Sequence, residues 1–214
     1  MRRCNGLFER VIDFGSLKAA FRRAFQGSGR SYEACRFNFR LEKELLQLGA
    51  ELASGTYYPA PHRYFAVRDP KEREIAVAPF RDRVVHHAVV AAMEPVFEPS
   101  FIYDSYACRV GKGTHAAVRR AQRFLRCAGW FLKGDVEKFF ESVDHEILLE
   151  LVARKIKDSP FLDLVERIVR NTRTQGRGLP IGNLTPSSPL IERKWAILRG
   201  VGRGKPCPIL GGSS

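Results

Sequence analysis

Leu132-Lys133-Gly134-Asp135-Val136-Glu137-Lys138-Phe139-Phe140 is the stretch on which the reading of this chain turns. Residues 130–136 are mostly apolar and of strand length, a carboxylate emerges where the run ends, and two aromatics follow. A carboxylate so placed can hold a hard cation. Mg²⁺ takes oxygen ligands and keeps several waters, so Asp135, a backbone carbonyl and substrate phosphate can complete its shell. In phosphoryl transfer such an ion activates the attacking oxygen and stabilises the leaving one, commonly with a second ion roughly 4 Å away. The competing reading makes Asp135 a turn cap and Phe139 and Phe140 core residues, so the neighbouring segments have to decide.

On the carboxyl side, the pattern predicts helices over about 144–156 and 160–171, with Asp144 capping the first through its side-chain oxygen. On the amino side, Thr114 to about Arg126 reads as an amphipathic helix behind the flexible Gly111-Lys112-Gly113. Residues 80–98 keep helical spacing through Val85, Val89, Ala92 and Val96, and Pro95 and Pro99 mark the end. Two β-prone runs flank Asp69-Pro70 between Tyr64 and Pro79, which predicts a β-hairpin with basic residues at its tip. Residues 16–55 are helical, with Leu41, Leu45, Leu48 and Leu52 on one face as core.

The 214 residues carry 36 Lys and Arg against 23 Asp and Glu, a formal charge of +13. That balance points to a polyanion, with nucleic acid the leading partner. Cys4, Cys35, Cys108, Cys127 and Cys207 are scattered without a CxxC pair, which excludes the usual zinc and dithiol motifs and predicts reduced thiols in a cytoplasmic protein. No apolar run reaches the roughly 20 residues a membrane helix needs. A phosphate loop ending in Lys-Ser or Lys-Thr and a GxSxG elbow are both missing. His86 and His87 are adjacent, so on a helix they point about 100° apart and cannot share a metal.

Four blocks in order resemble bacterial reverse transcriptases of the group II intron and diversity-generating retroelement type. Residues 64–85 resemble their fingers, Ser105-Tyr106-Ala107-Cys108-Arg109-Val110-Gly111-Lys112-Gly113-Thr114-His115-Ala116-Ala117 their second block, residues 135–140 palm motif A, and Arg177-Gly178-Leu179-Pro180-Ile181-Gly182-Asn183-Leu184-Thr185 the opening of motif B. The resemblance implies an α+β fold, the fingers and partial palm of a right-hand polymerase, helix-rich with a small antiparallel sheet. It divides the chain into a helical lead-in (1–55), fingers (56–128), partial palm (129–185) and an irregular tail (186–214).

It also implies roles. Asp135 is the catalytic carboxylate, binding Mg²⁺, for which Mn²⁺ can substitute, together with the backbone carbonyl of Val136. Arg68, Lys71 and Arg73 hold the incoming triphosphate, and Val136, Phe140 and Gly182 line the nucleotide. Phe140 lies beneath the sugar, where a 2′-hydroxyl would clash, so deoxynucleoside triphosphates are the substrates. Arg109 and Lys112 contact template or nucleotide. The partners are an RNA template and a DNA primer, with an accessory protein or a separate carboxyl-terminal half as a further one.

Two departures qualify the resemblance. Ile181 stands where group II intron enzymes usually carry Gln, which matches the diversity-generating branch. No Asp-Asp dipeptide of a YxDD motif C occurs, and Pro186-Ser187-Ser188-Pro189 replaces the Ser-Gln that usually opens the motif B helix. A one-base frameshift after Thr185 would turn a Ser-Gln codon pair such as TCC-CAG into Pro-Ser, so the tail is expected to be out of frame, the alternative being a divergent natural terminus. The chain alone is then expected to be inactive. The alternatives are a noncatalytic RNA- or DNA-binding protein and one part of a split polymerase.

Overall fold

The computed structural model of the chain describes residues 3–29, 31–69, 71–107, 109, 111–127, 130–132, 134 and 136–179. Asp135, Gly182, Ile181 and everything in the tail lie outside these residues.

Four helices open the chain: α1 (Leu7–Ile12), α2 (Phe14–Gln26), α3 (Tyr32–Phe39) and α4 (Leu41–Ala53). Asp13 caps α2 by accepting from the Ser16 amide, and Ser31 caps α3 through Ala34. Leu45, Leu48 and Leu52 are buried on one side of α4, as their spacing predicts. The hairpin follows, β1 (Arg63–Asp69) and β2 (Lys71–Val77), antiparallel with Arg63 opposite Val77 and Asp69 opposite Lys71. Then come α5 (Phe80–Phe97), a 3₁₀ turn at Glu98–Ser100, α6 (Thr114–Leu125), α7 (His145–Ala153) and α8 (Ser159–Arg170). α5 ends at Phe97, between Pro95 in its last turn and Pro99 just beyond, as the two prolines predict, with the Pro95 ring removing one donor from the closing turn.

One hydrophobic core joins the two ends of the described chain. α5 is its axis, with Val84, Val85, Ala88, Val89, Met93 and Phe97 all buried. Phe21 of α2 stacks on Phe37 of α3 at 5.7 Å, and Phe80 meets both rings edge-on at 5.9 and 5.4 Å. The amino terminus is tied to the far end of the chain: Cys4 donates to Lys155 and accepts from Lys157, and the Phe8 amide donates to the Asp158 carboxylate. Asp158 also caps α8, so one carboxylate fixes two helix starts.

The strand expected over 130–136 does not form among the described residues there. A strand needs a neighbour to satisfy its amides and carbonyls, and the described sheet consists of β1 and β2 alone. Trp130, Phe131 and Leu132 are instead 81, 75 and 90% exposed.

Candidate functional site

The segment that follows Asp135 turns back on itself. Lys138 has φ 48, in the left-handed region. The Ser142 amide reaches back to the Lys138 and Phe139 carbonyls. This places Phe139 and Phe140 edge to face, ring centroids 5.4 Å apart, both partly buried against the core. Val136, one residue beyond Asp135, is exposed.

Residues 140–145 then pair with residues 176–179. Leu179 donates to the Phe140 carbonyl at 2.8 Å, Gly178 to Val143 at 2.8 Å, and His145 to Gly176 at 3.1 Å. The His145 side chain, 1% exposed, completes the joint: its Nε2 donates to the Gly178 carbonyl at 2.7 Å. Gly178 has φ 87, and a Cβ there would sit 3.5 Å from the Glu141 carbonyl. Glycine is therefore the residue that turns here without strain. The end of the Asp135 segment and the start of the Arg177 segment are thus held as one unit.

The same strap reaches the hairpin at its other end. Asn171 donates to the Ala60 carbonyl at 2.9 Å. Arg173 lies over the Tyr64 ring at 3.7 Å and pairs with Glu74 at 2.9 Å. Arg167 donates to the carbonyls of Gly55 and Tyr57. Sequence reading missed these three residues, since an Arg or Asn near a helix end reads as a solvated side chain. The only available signal was their clustering beyond the apolar stripe of α8.

At the hairpin tip Arg68 is 80% exposed and pairs across the turn with Glu72 at 3.3 Å. Lys71 and Arg73 are placed by the backbone register, opposite Asp69 and Val67. The two second-block cations are engaged within their own loop. Arg109, with its side chain 10% exposed, pairs with Glu98 at 2.7 Å and donates to the carbonyls of Ile102 and Ser105. Lys112 lies 4.2 Å from the Tyr103 ring centroid and donates to the Tyr103 carbonyl. Both therefore brace the loop that carries them.

The start of α5 carries a buried polar cluster in which the sequence singles out His86 but not Tyr57 or Asp82. Tyr57 donates to Asp82 at 2.7 Å and the Ala60 amide donates to its other oxygen at 2.9 Å. Burial pushes the Asp82 carboxyl up despite these two donors. His86, one turn further along α5, is 2% exposed with neither ring nitrogen hydrogen-bonded, and burial holds it neutral with a pKa of about 3.

Among the described residues no group of three His, Cys, Asp or Glu side chains is placed to hold a metal ion. A shell on Asp135 and the Val136 carbonyl would have oxygen donors, as Mg²⁺ requires, and would need nucleotide phosphates and further carboxylates to complete it. No helix among the described residues is long and apolar enough to cross a membrane.

The model of the reverse transcriptase (RNA-dependent DNA polymerase) family matches residues 68–193. Protein YkfC of Escherichia coli (strain K12) is 33% identical over 167 residues, covering 72% of this chain and 43% of that protein. The group II intron-encoded protein LtrA of Lactococcus lactis subsp. cremoris is 31% identical over 132 residues, covering 60% of this chain and 22% of that protein. The chain thus spans less than half the length of either relative. A chain of a solved partial Cas6-RT-Cas1--Cas2 complex shares the fold, with a TM-score of 0.59 at 20% identity over 92% of this chain and 35% of that one.

Proposed function

The chain belongs to the reverse transcriptase family, and from that premise we propose that it supplies the nucleotide-holding half of an RNA-directed DNA polymerase. The observation that carries this reading is the hydrogen bond from Leu179 to Phe140, 2.8 Å long, which holds the end of motif A against the opening of motif B. Phe140 is then the sugar gate, fixed by the core behind it and by the strap beside it. Arg68, Lys71 and Arg73 receive the triphosphate, for which point charges and guanidinium forks are suited. Gly182, three residues beyond Leu179 in the sequence, would line the nucleotide. Arg109 and Lys112 serve the template by bracing the second-block loop.

Reverse transcriptases use divalent metal ions. Asp135 and the Val136 carbonyl would hold one, Mg²⁺ or Mn²⁺, which when bound supplies charge stabilisation for the transferring phosphoryl group. The residues of this chain position the sugar, orient the triphosphate and exclude the ribonucleotide. With one such carboxylate in these 214 residues, transfer requires a further carboxylate pair from outside them. An RNA template, a DNA primer and deoxynucleoside triphosphates are the substrates. The exposed Trp130, Phe131 and Leu132 favour a version in which another polypeptide segment packs beside motif A.

Calorimetric titration with dUTP and with UTP in the presence of Mg²⁺ tests the reading. Wild type should prefer dUTP, and Phe140→Ala should bind both equally. Unchanged sugar preference in Phe140→Ala would remove the gate from Phe140.

A further inference from the structure

Helix α6 stands apart from the rest of the fold. None of its residues is buried, and it contains no acidic residue. Arg119 and Arg123 of α6 and Arg126, which ends it, are all exposed, and no ion pair joins them to another described residue. At about 100° per residue the three fall within an arc of about 60°, spaced about 6 and about 4.5 Å along the axis. Val118, Phe124 and Leu125 occupy the opposite side and are about half exposed.

Arg120 lies between the two arcs and fixes the helix. It pairs with Asp104 at 2.8 Å and stacks on Phe124 and Tyr103 at 4.5 and 5.4 Å. Because one flank is tied down, α6 presents a set face outward.

We infer that the Arg119, Arg123 and Arg126 face of α6 is a docking surface for a nucleic-acid duplex, gripped through its phosphates. Charge complementarity selects the occupant: three exposed guanidiniums that no described carboxylate pairs match a row of phosphate oxygens, which guanidinium forks bind in pairs. Phe124 lies off the basic arc, and the one ring near it in α6 is the small imidazole of His115 one turn before Arg119, which favours a duplex over a single strand stacked on a broad aromatic platform. A basic amphipathic helix can also lie on an anionic bilayer, but the Arg120 to Asp104 tether keeps the apolar and basic arcs from rolling together into an interface. The surface uses none of the residues that would hold the nucleotide, so it stands or falls apart from the polymerase reading.

The test is the salt dependence of binding of a fluorescein-labelled RNA duplex, followed by anisotropy, with phosphatidylserine vesicles as a second probe. Each lost phosphate contact lowers the slope of log K against log salt by about 0.9. Arg119→Gln/Arg123→Gln/Arg126→Gln should therefore lower the slope by roughly 2 to 3. Arg10→Gln/Arg154→Gln/Lys157→Gln removes the same charge elsewhere and should leave it unchanged. Arg119→Gln and Arg123→Gln singly should each lower the slope by about one contact, which covers any folding defect in the triple variant. Equal slopes for wild type and the α6 variants, or an equal loss in the control, would overturn the proposal. Vesicle binding abolished by the α6 substitutions with duplex binding intact would replace it with a membrane surface.

Discussion

His145 Nε2 donates to the Gly178 carbonyl at 2.7 Å from a fully buried position, and this bond fastens the strap over residues 176–179 to the end of the Asp135 segment. Removing it leaves a cavity and an unpaired carbonyl. His145→Ala is predicted to lower stability in urea denaturation by roughly 2 to 4 kcal/mol. In hydrogen exchange the Gly178 and Leu179 amides should lose protection before those of α5. Unchanged protection of these amides would show that the backbone pairing holds without the imidazole.

Gly178→Ala should act on the same joint through the backbone. At φ 87 a side chain is strained, although its Cβ would meet only an ordinary contact at 3.5 Å from Glu141. A cost of about 1 to 2 kcal/mol is expected from conformation alone. A neutral substitution would mean that the strap relaxes freely.

Arg173→Ala should have a different signature. Its ion pair with Glu74 is exposed, so global stability should fall by less than about 1 kcal/mol. The hairpin amides should nevertheless exchange faster, because Arg173 also covers Tyr64 at 3.7 Å. Arg173→Lys keeps the charge, loses the planar stack and should fall in between.

Acid should find the protein through His86. Burial holds its pKa at about 3 in the fold, against an ordinary value of 6.5. Between those values the unfolded chain binds the extra proton, so stability falls as pH drops below about 6.5 and continues falling to about 3. The slope contributed is at most about 1.4 kcal/mol per pH unit. His86→Leu removes two unpaired polar atoms along with the titration, and should flatten the acid limb measured by denaturation at pH 5 against pH 7. Asp82 acts in the opposite sense, since its raised carboxyl pKa makes the folded state the better proton acceptor just above 3.8.

Periodicity made most of the helices and the hairpin legible, because an apolar stripe or an alternating run around Asp69-Pro70 reports burial directly. Asp144 as a cap was equally readable, and its carboxylate accepts from Glu146 and Ile147 at 3.0 and 3.2 Å. The run over 130–136 misled for a physical reason: an apolar segment of strand length forms a strand only beside another strand. Arg109 looked like a free cation, yet local sequence carries no sign of Glu98 eleven residues away that engages it at 2.7 Å. Arg173 and His145 were invisible as joints because their partners, Tyr64 and Gly178, lie far along the chain. The order of the four blocks gave the family without any of these contacts.

In the proposed deoxynucleotide site, Asp135 stands at the metal and Phe140 at the sugar. Titration of the chain with Mn²⁺ and dATP, read by the electron paramagnetic resonance of free Mn²⁺, tests it most directly. Wild type should form the ternary complex, and Asp135→Asn should weaken it by at least about tenfold, the loss of about 1.4 kcal/mol expected for one charged ligand. Equal Mn²⁺·dATP affinity in wild type and Asp135→Asn would contradict the account.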